Sequence, residues 1–360
     1  MNSKRFIYIK LKNNYWCLNQ SILGLIWYRI FSRDIFFIQE YKKIEFWKLI
    51  FYKWKIFRGP KILKLSVYGQ LCIPLYGGYK IFDFYKKNVI RIFHDVKSLK
   101  EYNKELKNLK RANALKCAPT INKINIDNRW YSEEYLKSNL ELNKRKIDNA
   151  IIKEDFIRFA IPLLREIMLW EVPATVSLKK YLEEKINIFK SYDFKKYDQL
   201  KVTAIKEYFN QAAQLLQKEG NRKILIILAH GDFSAKNIVV TKSETKLLDW
   251  ELLTRCSFLH DFYNYFFHIL RSSGKKMHLS NVIEESLNVL NTVLNVNTQN
   301  FKFDFIYLSK TYRFLYYIER IFSILEFREN IHPEKRIRNL SRNIDVFKKY
   351  ESCINATINR

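Results

Sequence analysis

One stretch limits this chain more than any other. Between Leu228 and Asp261 it carries His230-Gly231-Asp232, then Asn237 five residues on, then Leu248-Asp249-Trp250-Glu251, with that aspartate twelve residues further. The runs around these residues, ILIILA, IVV and LLD, are short, apolar and bounded by polar loops, which predicts strands. Asp232 and Asn237 then sit on a loop between two strands. The turn TKSETK folds the next strand back and returns Asp249 beside Asn237, so three side-chain oxygens are expected to converge.

Convergent oxygens of this kind suit phosphoryl transfer, which needs an aligned nucleophile and neutralised phosphate charge rather than covalent help. A carboxylate at Asp232 can accept or orient the proton of an attacking hydroxyl. The amide oxygen of Asn237 and the carboxylate of Asp249 are the donor types that magnesium takes, one or two from protein and the rest from phosphates and water. A histidine beside an aspartate could also belong to a metal site or a nucleophilic triad. The chain has no G-x-S-x-G elbow and no H-E-x-x-H, so His230 is expected to orient the loop through hydrogen bonds. The histidines at 94, 260, 268, 278 and 332 are expected in the core or on the surface.

H-G-D-x-x-x-x-N followed by a strand-borne D-W-E resembles the aminoglycoside phosphotransferase and choline kinase group, relatives of protein kinases. The resemblance covers about residues 65 to 270. It implies an α+β, bilobal protein-kinase-like fold, with a small antiparallel β lobe carrying one helix and a larger, mainly helical lobe. It also implies an enzyme that moves a phosphoryl group to an alcohol, with ATP and Mg2+ as cofactors and GTP as an open alternative donor. Asp232 takes the catalytic role, Asn237 and Asp249 the metal, and Asp261 steadies the catalytic loop. Glu251 either adds a contact near the metal or bonds locally. Gly77 and Gly78 stand at the phosphate-covering turn, which could equally be an ordinary hairpin. Arg91, in VIRI, stands where the kinase strand carries a phosphate-binding lysine, with Lys80, Lys86 and Lys87 as alternatives. Glu105 would pair with Arg91, with Glu101 competing. Glu134 and Tyr135 lie in the segment whose backbone binds adenine.

Upstream, strands are expected at LKLSVYG, YKIFDFY and NVIRIF, followed by a helix from about Val96 to Leu115 with Leu99, Leu106 and Leu109 along it. Phe156–Trp170, VTAIKEYFNQAAQLLQKEG ending at Gly220, and Phe305–Phe327 are expected helices. We divide the chain into residues 1–60, a basic aromatic extension; 61–133, a nucleotide-binding lobe; and 134–360, a catalytic and acceptor-binding lobe. At 360 residues, two lobes are the natural expectation.

The five cysteines are scattered without a C-x-x-C pair, which argues against a disulfide framework or a zinc site and for a reducing, cytoplasmic setting. The net charge of +28 attracts anions. Residues 1–60 hold twelve Lys/Arg against three Asp/Glu, and sixteen aromatics including Trp16, Trp27, Trp47 and Trp54. Such a segment either packs on the first lobe as extra strands or a helical hairpin, or docks peripherally on an anionic membrane face. A positive protein repels cationic acceptors, so a sugar, or a saccharide of a cell-surface glycan or lipopolysaccharide, is the expected acceptor. Aminoglycosides and choline or ethanolamine are the alternatives within the class. A nucleotide-binding pseudokinase and a basic nucleic-acid-binding protein are the alternatives outside it; the latter leaves the H-G-D…N…D-W-E order unexplained.

Overall fold

The computed structural model describes residues 6–10, 16–18, 62–75, 77–93, 98–138, 140, 142, 148–273, 279–294, 297–298, 301–302, 305–326 and 333–358. The chain divides into a sheet unit, Met1–Glu141 with Val239–Glu251, and a helical unit, Leu142–Ile238 with Leu252–Arg360.

The sheet unit is built on eight antiparallel strands: β1 (Phe6–Lys10), β2 (Trp16–Leu18), β3 (Ile62–Leu65), β4 (Leu71–Leu75), β5 (Gly78–Asp83), β6 (Asn88–Phe93), β7 (Ile121–Asn125) and β8 (Trp130–Glu134). Their spatial order is β3-β1-β2-β4-β5-β6-β8-β7. The hairpin β1–β2 from the basic extension thus lies between β3 and β4 and forms part of the sheet itself. Trp27, Trp47 and Trp54 lie outside the described residues. The run LKLSVYG is a strand only as far as Leu65.

Period-two alternation along β6 divides the sheet's two faces. Ile90 and Ile92 join Tyr8, Leu65, Cys72 and Ile81 in one apolar cluster. Phe93, with Tyr131 of β8, packs against Tyr102, Leu106 and Leu109 of helix α1 (Ser98–Ala112). The stripe 102–106–109 is the four-then-three spacing of a helix face. Leu99 is in phase with that stripe but lies one turn nearer the start of the helix, and is 41% exposed.

The helical unit opens with α2 (Asn149–Asp155), whose first turn is capped by the Asp148 carboxylate accepting from Ala150 N at 2.9 Å. A π-helical turn, Phe156–Ala160, joins it to α3 (Ile161–Met168). Pro162 lacks an N–H to donate, and the π turn loosens the ladder where that donor is missing. Then come β9 (Ala174–Ser177), α4 (Leu178–Ser191), α5 (Gln199–Gln217) and β10 (Lys223–Ala229). Gly220, with φ 63°, ends the α5 region in the left-handed conformation that glycine adopts freely. The hairpin β11 (Ile238–Val240) and β12 (Thr245–Leu247) leads back into the sheet unit. After it, β13 (Thr254–Ser257) completes an antiparallel sheet in the order β13-β10-β9. Among the described residues, four helices follow: α6 (His260–Ser273), α7 (Ser280–Leu294), α8 (Ser309–Glu326) and α9 (Pro333–Ile358). Of the predicted helix Phe305–Phe327, residues 305–308 are a turn ahead of α8. Among the described residues no helix is long and apolar enough to cross a membrane.

Buried Glu319 of α8 ties these pieces together. Its carboxylate accepts from Tyr181 Oη (2.7 Å), Ser257 N (2.7 Å) and Ser257 Oγ (2.8 Å), and pairs with His260 Nδ1 (2.8 Å). Cys256, His260 and Glu319 hold their donor atoms within 4.8 Å of one another. Because the carboxylate oxygens already have these partners, the cluster serves as a buried junction of α4, β13, α6 and α8.

Candidate active site

In the helical unit, β10 delivers the chain to His230-Gly231-Asp232. Gly231 has φ 83°, and a β-carbon there would lie 2.5 Å from Leu252 O. Both facts restrict the position to glycine. Asp261, in the first turn of α6, accepts from His230 N (2.7 Å, Oδ2) and Gly231 N (3.0 Å, Oδ1). One buried carboxylate thus satisfies two successive backbone donors that the tight turn would otherwise leave unpaired. His230 Nδ1 accepts from Asp232 N at 3.2 Å, which places the ring proton on Nε2.

Asp232 and Asn237 are brought together. Asn237 Nδ2 donates to Asp232 O (2.9 Å) and to Asp232 Oδ2 (3.3 Å), so its Oδ1, the atom suited to a hard cation, faces elsewhere. Lys236 Nζ lies 3.3 Å from Asp232 Oδ2. Burial alone would raise the Asp232 carboxyl, but nearby charges, Lys236 and Arg320 first, outweigh it and hold it below its ordinary value. His268 is pushed down to about 3 by burial first and then by Arg271 and Lys236. Its ring is therefore neutral near pH 7, and Lys236 and Arg320 are the leading cations that act on Asp232.

Asp249 belongs to the sheet unit. It follows β12, has φ 61°, and its side chain is 53% exposed. An aspartate held in the left-handed region costs on the order of 1 kcal/mol or more, a cost the surrounding turn must sustain. Trp250 supplies part of that support: the buried ring donates Nε1–H to Leu247 O at 2.7 Å. Leu247 N donates to Cys117 O (2.8 Å) and Lys246 Nζ to Lys116 O (2.7 Å), fixing β12 to the segment after α1. Glu251 contributes its backbone oxygen to Asn108 Nδ2 at 3.0 Å.

A polar row crosses the sheet on the α1 side. Register places Lys80 of β5 opposite Arg91 of β6, and Arg91 opposite Tyr131 of β8. Arg91 Nε lies 3.7 Å from Glu105 Oε1, and Tyr131 Oη donates to the same oxygen at 2.6 Å. Arg91 also covers the Phe93 ring at 4.2 Å and is buried. Burial raises the Glu105 carboxyl above its ordinary value, with Arg91 and Tyr131 opposing. Lys80 Nζ reaches Asp249 Oδ1 (3.4 Å) and Glu133 Oε1 (3.7 Å). Burial would lower this ammonium, but Asp249, Glu133 and Glu105 outweigh it and raise it. Lys86 and Lys87 are exposed in the β5–β6 turn.

The remaining sequence candidates are placed as follows. Leu75 pairs with Gly78, so the turn over which Gly77 (φ 69°) presides is a two-residue hairpin. A β-carbon on Gly78 would lie 1.8 Å from Ile92 O, so this glycine lets β5 and β6 approach. Glu134 N donates to Thr120 O (3.0 Å) and Tyr135 N to Lys87 O (2.7 Å), which engages both backbone donors within the protein. The side chain of Glu101 is outside the described set. Sequence reasoning passed over Lys236, Glu133, Arg271 and Arg320. Glu133 carried a readable signal, since it alternates with Tyr131 on one face of β8. The helix arginines carried none, because a lone cation on a helix reads as a solvated charge.

Residues 141–297 match the model of the Ecdysteroid kinase-like family. No curated protein matches the chain in sequence. Among solved structures, the choline kinase LicA from Streptococcus pneumoniae superposes with a TM-score of 0.50 at 15% identity, over 77% of this chain and 90% of that one. The choline kinase from Cryptosporidium parvum Iowa II is also similar, at 14% identity and TM-score 0.45 over 82% of this chain and 89% of that one. At such identities the likeness carries architecture and nothing finer. A mainly antiparallel unit with one helix among its described residues, a helical unit around an H-G-D loop, and a likeness that spans nine-tenths of the Streptococcus protein lead to one conclusion: the chain has the protein-kinase-like fold.

Proposed function

We propose that the chain is a phosphotransferase that moves the terminal phosphoryl group of a nucleoside triphosphate, ATP first among them, to a hydroxyl of a small molecule such as a sugar or saccharide. The observation that carries this reading is the state of Asp232. It is a carboxylate kept ionised by neighbouring cations, on a loop locked by Asp261 and shaped by a glycine that no other residue can replace.

A carboxylate held below its ordinary value is a weak base. It is suited to accept a hydrogen bond from the acceptor hydroxyl and orient that oxygen for in-line attack, taking the proton only as the new bond forms. A loose transition state asks for no more, because the nucleophile acquires its acidity late. Lys236, at 3.3 Å, keeps Asp232 ionised through the ground state.

Asn237 and Asp249 are the oxygen donors we assign to magnesium, which when bound supplies charge neutralisation for the phosphates. The amide oxygen of Asn237, whose Nδ2 is engaged by Asp232, and the half-exposed carboxylate of Asp249 are the donor types that ion takes. Lys80, beside Asp249, is the cation we assign to the phosphates. Arg91 is occupied by Glu105 and Phe93 and acts by holding α1 to β6.

Turnover of ATP and GTP with a panel of sugars, choline, ethanolamine and kanamycin tests the reading. Asp232→Ala should lower transfer by about 10²- to 10⁴-fold while nucleotide still binds. Wild-type turnover in that variant would refute the assignment.

A further inference from the structure

Two stripes of side chains run from the Asp232 loop into the helical unit. On α6, Asn264, His268 and Arg271 are spaced four and three apart and so share a face. On α8, Tyr316 and Arg320 are four apart. Tyr316 Oη donates to Asn264 Oδ1 at 3.2 Å, setting the stripes against each other, and Asn264 Nδ2 donates to Phe233 O at 3.0 Å, tying them to the residue after Asp232. From that contact Arg320 stands one turn further along its stripe and Arg271 two turns further along the other.

Among the described residues no carboxylate lies within ion-pair distance of either arginine, and the acid whose charge they feel is Asp232. Arg320 is 8% exposed; its Nη1 has only the Ser323 hydroxyl at 3.3 Å, and its Nε has no partner among the described residues. Among the described residues Arg271 Nη1 meets the Asn343 amide oxygen at 3.5 Å and no carboxylate. The acids nearby are engaged. Asp261 holds backbone amides, Glu319 holds Ser257, Tyr181 and His260, and Asp232 has Lys236 at 3.3 Å. Burial and the Arg320 charge together make the Arg271 cation less favourable than usual. A buried guanidinium with an empty donor and a like charge beside it is costly unless something negative completes it.

We propose that the molecule whose hydroxyl Asp232 orients also carries an oxyanion, a carboxylate or a phosphate ester, and that Arg320 and Arg271 bind it. The proposal rests on the phosphotransferase reading and narrows its acceptor. Guanidiniums present planar paired donors to such groups. The acceptor would be seated by its negative end, with the hydroxyl left at Asp232.

Two measurements test this. In the first, transfer from ATP is followed with glucose, glucuronate and glucose 6-phosphate as matched acceptors, with choline and kanamycin as cationic ones. An anionic member should be preferred, and glucuronate against the phosphate tells which oxyanion fits. Arg320→Gln should raise the KM for that member by about 10- to 100-fold with the nucleotide KM unchanged, and Arg320→Lys should restore part of it. Equal kcat/KM across the neutral and anionic sugars, or preference for the cations, overturns the proposal. In the second, inorganic phosphate and acetate are titrated calorimetrically at fixed ionic strength, with no turnover required. Saturable binding that Arg320→Gln and Arg271→Gln each weaken, in variants of unchanged circular dichroism, supports the site. Wild-type binding of both anions by Arg320→Gln, or no binding to the wild type, overturns it. Absence of transfer to every acceptor would instead sink the phosphotransferase reading, while the titration still decides the anion site.

Discussion

Two buried glutamates, one in each unit, carry opposite electrostatic outcomes. Glu105 in the sheet unit has one hydrogen bond, from Tyr131, and an arginine at 3.7 Å, and its carboxyl lies above the ordinary value because burial prevails. Glu319 in the helical unit is buried at least as deeply, yet lies below that value. Burial acts on it too, but His260, Tyr181 and the Ser257 amide donate directly to its oxygens. Between these two glutamates, the number of direct donors to the charged form makes the difference. The two aspartates of the proposed site differ in another way, since nearby cations, Lys236 and Arg320 first, keep Asp232 ionised. Asp232 is ionised within a dense network, whereas Asp249 achieves its placement by a strained backbone and remains half exposed.

The largest test of this contrast is Glu319→Ala. It leaves Tyr181, both donors of Ser257 and His260 without their acceptor, and should cost on the order of 4 kcal/mol in chemical unfolding. A loss below about 1 kcal/mol would break the comparison. Asp261→Ala removes the partner of two buried amides and should cost about 3 kcal/mol, with transfer falling further than stability because the Asp232 loop is released.

The pH dependence runs in opposite directions. Glu105 has a raised folded value, so its contribution is full below its unfolded value of about 4.3 and is lost as pH rises through the folded value. Glu319 has a lowered folded value, so its contribution is present above about 4.3 and is lost as pH falls through the folded value. Glu105→Gln should therefore remove a decline in stability on the alkaline side of 4.3, measured by urea titrations across pH, at a cost of about 1 kcal/mol near neutrality. A steeper decline in the variant would reverse the sign we assign. The smallest effect on stability belongs to Asp249→Asn. Its pair with Lys80 is half solvated, worth about 0–1 kcal/mol, and asparagine tolerates φ 61°. Magnesium-nucleotide affinity should drop all the same, and unchanged affinity would remove Asp249 from the metal.

Much of this was legible in the residues. The order His230-Gly231-Asp232, Asn237, Asp249 is local chemistry on neighbouring strands. Alternation in NVIRIF and the 102–106–109 stripe are local periodicities that burial enforces. Less readable were the hairpin β1–β2, whose place between β3 and β4 depends on partners more than forty residues away, and the choice between Lys80 and Arg91. Both cations sit opposite each other on adjacent strands, and only the positions of Glu105, Phe93 and Asp249 tell their roles apart.

The sequence by itself determined the kind of chemistry: which oxygens can take a proton or a divalent ion, and which glycine the turn between them demands. It could do so because those constraints act between residues a few positions apart. Only the tertiary structure decided the electrostatics. Asp261, Arg271 and Arg320 matter because α6 and α8 cross at Asn264 and Tyr316, a meeting across more than fifty residues. A charge that is ordinary in water becomes decisive when such a crossing takes it out of solvent.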